Sequence, residues 1–225
     1  MDWLFKMLKT SIGQKMLVGL TGLFLCSFLL VHVYINIHLL PIPGFSNDGG
    51  AKFSELGSFM AENLIIRIME VGLFLGFILH IFYSLKLNME NRKAKPIKYE
   101  VNAGNQTSDW TSKNMVLLGT TLLIFLILHL WGIYLQHKLF HVPETLFVTT
   151  IAVLSDKVYA SIYILGVIAL ALHLKHGFQS AFQTFGIKTP KMAGTITLVG
   201  VFFWLIVPIL FASLPLYFGF LGGHN

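Results

Sequence analysis

Four histidines, His32, His80, His129 and His173, each sit inside a long apolar run of this 225-residue chain. A histidine within hydrocarbon is costly, so each is by default a sign of function. The fourth run carries the densest pattern. Residues 165–183 read LGVIALALHLKHGFQSAFQ, with Gly166 seven positions before His173 and Gly177 four after it. Those spacings bring all three near one helical face, where a histidine flanked by bare backbone suits a flat cofactor. Gly72, Gly76 and His80 form a similar strip at steps of four. Small-residue strips also let membrane helices approach closely, and both uses are open for these glycines. Four imidazoles on four segments make two pairs, and a low-spin haem b needs two imidazoles facing each other at one depth. The chemistry to expect is one-electron transfer through two bis-histidine haems b, with Gly76, Gly166 and Gly177 making room for them.

The segments that must position these residues are legible from composition. The chain is 55% hydrophobic and 12% charged, which is a membrane-protein balance with no stretch long enough for a soluble catalytic domain. Five runs, residues 16–40, 64–87, 115–135, 158–178 and 193–217, are long enough to cross a core of ~30 Å, which takes roughly 20 helical residues. Backbone polar groups cannot stay unpaired in lipid, so the fold expected is an all-α bundle of five transmembrane helices forming one domain over 1–225. Cys26 is the only cysteine and lies in an apolar run, which excludes an intrachain disulfide, a self-held iron–sulfur cluster and covalent c-type haem attachment. The basic N-terminal stretch resembles a signal peptide, but the run after it is long and has no small-x-small cleavage site, so it reads as a retained first span.

Charge sets the orientation. Lys6, Lys9, Lys15, Lys86, Arg92, Lys93, Lys95, Lys98, Lys113, Lys175, Lys188 and Lys191 fall on one side, against Lys52, Arg67, Lys138 and Lys157 on the other. The positive-inside rule then puts the N-terminus in the cytoplasm and the C-terminus outside, in the periplasm, with outer loops at 41–63 and 136–157. Depth follows. His32 comes seventeen residues after Lys15 and His129 sixteen after Lys113, so at ~1.5 Å per residue both lie in the outer half. His80 is six residues before Lys86 and His173 two before Lys175, which puts both in the inner half. The expected pairs are therefore His32 with His129 and His80 with His173. His176, one turn beyond His173, is an alternative ligand, disfavoured because it follows Lys175 toward water. His38, His137, His141 and His224 lie at or beyond the span ends and read as solvated interfacial residues. His137 and His141 have the i, i+4 spacing of a metal site without a further ligand cluster.

With VHVYIN at His32, FILHIFYSL at His80, LILHLWGIY at His129 and ALHLKHGFQSAFQTFG at His173 in this order, the chain resembles the single-chain dihaem cytochrome b subunits of succinate:quinone oxidoreductases, in the b558-type form of menaquinone-using bacteria. The resemblance covers nearly the whole chain. It implies a multi-pass subunit of the bacterial cytoplasmic membrane, part of a succinate dehydrogenase or fumarate reductase whose carboxylate chemistry lies on other subunits. It assigns His80 and His173 to a proximal haem near the cytoplasm, and His32 and His129 to a distal one. It further implies a flavoprotein (FAD) and an iron–sulfur subunit on the cytoplasmic side, and menaquinone as the membrane partner. The docking face expected for those subunits is the N-terminal segment with residues 86–113 and 182–191. Some fumarate reductases of this kind carry a glutamate two residues before the fourth ligand. Here that position is Ala171.

Quinone reduction takes up two protons, so a quinone site needs a titratable group with a route to water. Glu55, Glu62 and Glu70 are the candidates, at a site beside the distal haem and the 41–63 loop, with His141 in reserve. Glu55 is favoured by resemblance, since it lies twenty-three residues after His32, near the spacing of an essential glutamate in related menaquinol-oxidising subunits. Glu62 also suits the amide dipoles of a helix entry. Two other readings stand beside this one. Dihaem cytochromes of hydrogenases or formate dehydrogenases share its logic, whereas the bc type, with two ligands thirteen or fourteen apart on one helix, finds no such pair here. A haem-free transporter or anchor using its histidines as a proton relay would commonly show repeated halves, and five spans do not halve.

Overall fold

The computed structural model describes residues 10–46, 48–93, 109–140 and 145–222, together with Lys6. Lys9, Lys95, Lys98, His141, His224 and most of the 86–113 connection lie outside the described residues.

Five helices are long and apolar enough to cross a membrane: α1 (Ser11–Ile37), α3 (Leu64–Lys93), α5 (Met115–Lys138), α7 (Lys157–Thr184) and α8 (Ala193–Phe220). Three short helices lie between them, α2 (Ala51–Glu62), α4 (Trp110–Lys113) and α6 (Leu146–Ser155). Among the described residues the only non-helical pairing is one isolated bridge, Ile42 to Ser46. Side-chain caps mark some of the helix starts. The Thr10 hydroxyl accepts from the Gly13 amide at 3.0 Å ahead of α1, and the Asp156 carboxylate accepts from the Val158 and Tyr159 amides at 2.9 Å ahead of α7. Each bond satisfies an amide that the first helical turn leaves without a partner.

The observed helices run past the limits expected from hydropathy, because hydrogen bonding continues after hydrocarbon ends. α1 starts at Ser11 rather than Met16, although it closes at Ile37, short of Leu40; α3 extends to Lys93, and α7 to Thr184. α2 and α6 occupy what the sequence presents as outer loops. α2 is entered through Gly50 at φ +86°, where any Cβ would also strike the Phe147 ring, so the backbone needs glycine twice over.

α7 is the centre of the bundle, with 33% of its apolar window buried against 6% for α3 and for α5. It packs against α1, α5 and α8, while α1 packs against α3 and α8. The four histidine-bearing helices thus form a quadrilateral with three closed sides, α3–α1, α1–α7 and α7–α5. Neither diagonal, α1–α5 or α3–α7, is closely packed backbone to backbone, and nor is the fourth side, α3–α5. α8 lies outside against α1 and α7. One apolar core, with Leu39, Phe53, Leu154, Tyr163, Leu214 and Phe218, seals the end of the bundle under α2 and α6. A second, with Cys26, Leu174, Phe178 and Ile196, lies toward the opposite end, which carries Lys15, Lys113, Lys175 and Lys188 and is called the basic end below.

His38 departs from expectation. It is only 4% exposed, its Nδ1 lies 2.8 Å from the Tyr34 carbonyl, and Phe45 covers its ring at 4.6 Å. The turn after α1 folds back over it, which a position at a span end does not disclose. His137 is also partly buried, with a ring nitrogen that has no hydrogen-bond partner among the described residues.

Candidate cofactor-binding site

The four central histidines meet across the two diagonals. The His80 and His173 rings have centroids 6.3 Å apart and inclined at 69°, spanning α3 and α7. Those of His32 and His129 are 5.7 Å apart and inclined at 87°, spanning α1 and α5. Two imidazoles bound to opposite sides of one iron, with metal–nitrogen bonds of about 2.0 Å and nitrogens roughly 1.1 Å from the ring centres, would have centroids ~6.2 Å apart. The basic-end pair sits at that spacing and the far-end pair about half an ångström inside it. Each pair bridges helices that stay apart along their backbones.

Three of the four Nδ1 atoms lie beside polar neighbours. His80 Nδ1 lies 3.1 Å from the Val18 carbonyl and 3.2 Å from the Thr21 hydroxyl, both on α1. A carbonyl only accepts, so the proton belongs on Nδ1 and Nε2 keeps its lone pair, the tautomer a metal needs. His129 Nδ1 lies 3.2 Å from the Tyr163 hydroxyl of α7. His32 Nδ1 lies 3.4 Å from the Asn36 amide nitrogen, and that nitrogen donates to the His32 carbonyl at 2.8 Å. His173 Nδ1 is buried and has no hydrogen-bond partner among the described residues. A buried polar atom of that kind costs about 1–3 kcal/mol. The ring spacing of the His80–His173 pair is what fits a metal group between the two imidazoles. Among the described residues no group of three or more histidine, cysteine or carboxylate side chains could hold an ion. A haem, held by two protein ligands, does not call for one.

The glycines nearest the imidazoles are mostly not the ones the strips point to. A Cβ on Gly22 would lie 3.2 Å from His80 Cε1, and one on Gly119 3.9 Å from His173 Cε1. Gly177 does lie beside His173, 4.0 Å from its Cδ2 by the same measure. Gly76 instead receives Phe24 of α1 at 3.1 Å, and Gly166 receives the Phe125 ring so closely that a Cβ would overlap it. Gly72 borders an open apolar groove of about 380 Å³ between α1 and α3. Depth counting extended to glycines would have found Gly22, seven residues after Lys15 and so level with His80. Val18, Thr21 and Tyr163 carry no signal in the sequence, because their value depends on helix rotation.

His176 does not join the His80–His173 contact. It lies close enough to Asp109 for their charges to interact, near the basic surface. The Thr111 hydroxyl, with smaller help from the Trp110 amide, Lys175 and His176, holds the Asp109 carboxyl below the usual carboxylate range.

The three candidate carboxylates separate. Glu55 is exposed on α2 and paired with Lys52 at 2.9 Å, and Glu62 is exposed at the end of α2. Glu70 lies on the open α3–α5 side, where it accepts a hydrogen bond from the Tyr134 hydroxyl and pairs with Lys138 Nζ at 3.3 Å. Phe74 adds a ring contact to Tyr134 at 5.6 Å. Tyr134 reaches this place through a π-helical turn, Leu130–Tyr134, that follows His129 directly. In such a turn the hydrogen bond spans i and i+5 instead of i and i+4. Comparison with protein-family models, with curated proteins and with solved structures returns no match to this chain.

Proposed function

We propose that this chain is the membrane-embedded dihaem cytochrome b subunit of a succinate:quinone oxidoreductase in a bacterial cytoplasmic membrane. The observation that carries the reading is the meeting of the four histidines in two diagonal pairs, with ring centroids 6.3 and 5.7 Å apart, near the ~6.2 Å of bis-imidazole ligation. His80 and His173 would hold one haem b toward the basic end, and His32 and His129 the other toward the far end. Bound haem supplies reversible uptake of one electron at a time. The chain's own residues do the rest. Val18 and Thr21 orient His80, Tyr163 orients His129, and the two apolar cores exclude water, so that little solvent has to reorganise around a change of charge.

On this reading the basic end faces the cytoplasm and receives flavoprotein and iron–sulfur subunits, with cations there favouring an acidic partner. A membrane quinone, menaquinone by resemblance, exchanges electrons near the far-end pair. Glu70 is the carboxylate best suited to its protons. It opens on the unpacked α3–α5 side, where a lipid-soluble ring has access, and Tyr134 and Lys138 beside it can donate to a quinone oxygen. Glu55 points into water beside Lys52 and is less suited.

The test is direct. The purified chain should show a Soret band, α-bands of the b type on reduction and two haems per chain, and should lose one haem in His80→Ala and the other in His32→Ala. Absence of a Soret band defeats the reading in favour of a haem-free anchor or transporter. Copurification with hydrogenase or formate dehydrogenase subunits in place of a flavoprotein would keep the haems and reassign the complex.

A further inference from the structure

The two histidine pairs are steadied in chemically different ways. His80 gives its Nδ1 proton to a backbone carbonyl, an acceptor that no side-chain substitution removes. His129 faces one phenol oxygen, that of Tyr163 at 3.2 Å. Tyr163 is 7% exposed within the far-end core. Its ring stands edge-on to Phe125 at 5.2 Å, and Phe125 stacks on His129 at 5.8 Å, seated in the space that Gly166 leaves on α7. Gly166, Phe125, Tyr163 and His129 thus form one locked group, and the hydroxyl inside it is directed at the imidazole.

We propose that Tyr163 is a positioning residue which, by accepting the Nδ1–H bond of His129, sets the ferric-to-ferrous balance of the far-end haem independently of the other. The inference rests on the haem reading above. An acceptor on Nδ1–H makes the imidazole a stronger donor through Nε2, which favours the ferric state. The proton stays on Nδ1 throughout, and the iron alone gains or loses the electron. Without the hydroxyl the imidazole donates less, and the ferrous state gains.

Tyr163→Phe keeps the ring and its packing and removes only the acceptor. Potentiometric titration of the two-haem protein should show the far-end haem, identified as the one missing from His32→Ala, shifted about tenfold toward the ferrous form. For a one-electron couple that is a rise of about 59 mV. The basic-end haem should keep its potential. Two unchanged potentials would overturn the proposal, as would an equal shift of both, which is the mark of a general packing change. If Tyr163→Phe cannot retain the far-end haem, fluorinated tyrosines at 163 decide the matter, since they keep ring and hydroxyl but weaken the acceptor stepwise. A graded upward shift supports the proposal and a flat series overturns it. A wild-type chain without haem would defeat the functional reading itself, a result distinct from flat potentials in a chain that binds two.

Discussion

Gly22→Ala is the sharpest probe of how the basic-end pair is built. The new Cβ would lie 3.2 Å from His80 Cε1 and 3.5 Å from its Nδ1, where ordinary contact begins at about 3.4 Å and is comfortable near 3.8 Å. The imidazole must retreat by roughly 0.2–0.6 Å, and its bond to the Val18 carbonyl, now 3.1 Å, then lengthens toward the ~3.6 Å at which a hydrogen bond no longer counts. The lost bond is worth about 0.5–1.5 kcal/mol and mild overpacking about 1 kcal/mol more. Together these amount to roughly 1.5–2.5 kcal/mol, or about a 10- to 70-fold loss of affinity for the group held between His80 and His173. The assay is haem content and haem-release rate of the purified chain, with Gly72→Ala as control, since a Cβ there meets nothing within 4 Å. Equal haem retention in Gly22→Ala, Gly22→Val and Gly72→Ala would refute the reasoning, because it would mean that His80 is not pressed against α1.

Glu70→Gln should suppress quinone-coupled turnover while both haems and dye-coupled succinate oxidation survive, and Glu55→Gln should leave quinone coupling intact, as steady-state assays with each acceptor will read. The reverse pattern would return the proton-handling role to α2. At the basic surface, Asp109 caps α4 by accepting from the Trp110 amide at 2.8 Å and the Thr111 hydroxyl at 2.7 Å. Its carboxyl is held below the ordinary range, so the cap's contribution is complete above the ordinary carboxylate pKa and is lost as pH falls through the lowered one. Amide exchange of residues 110–114 should therefore quicken on acidification, and Asp109→Asn should flatten that dependence.

The histidine partners could be read from the sequence because flanking lysines act as rulers. Lys15, Lys86, Lys113 and Lys175 mark the position of each imidazole along its span, and alternate spans run the same way, so α1 meets α5 and α3 meets α7 at matching positions. Rotation about the helix axis has no comparable ruler. The sequence makes Gly76 and Gly166 look like cofactor clearances, but each turns to a phenylalanine, Phe24 and Phe125, that spacing along a single helix cannot identify. Tyr163 was hidden for the same reason, as an aromatic among apolar neighbours whose hydroxyl matters only because α7 turns it toward α5. α2 and α6 carry no span-length signal, because they are short and cover the far-end core instead of crossing it. His38 looked solvated because nothing local announces that Phe45 folds back over it.

The quadrilateral with one open side has a mechanical consequence. A four-bar frame with three joined sides can shear, and it becomes rigid only when its diagonals are braced. Here the diagonals are the histidine pairs, so a group ligated across each would act as a strut, and the chain before loading would be the looser object. The open side between α3 and α5 is fastened at the far end by Glu70, Tyr134 and Lys138. That fastening is polar and therefore releasable, like a latch on a door. Loading would proceed with the latch undone, and the struts, once in place, would hold the doorposts at the distance that lets it close.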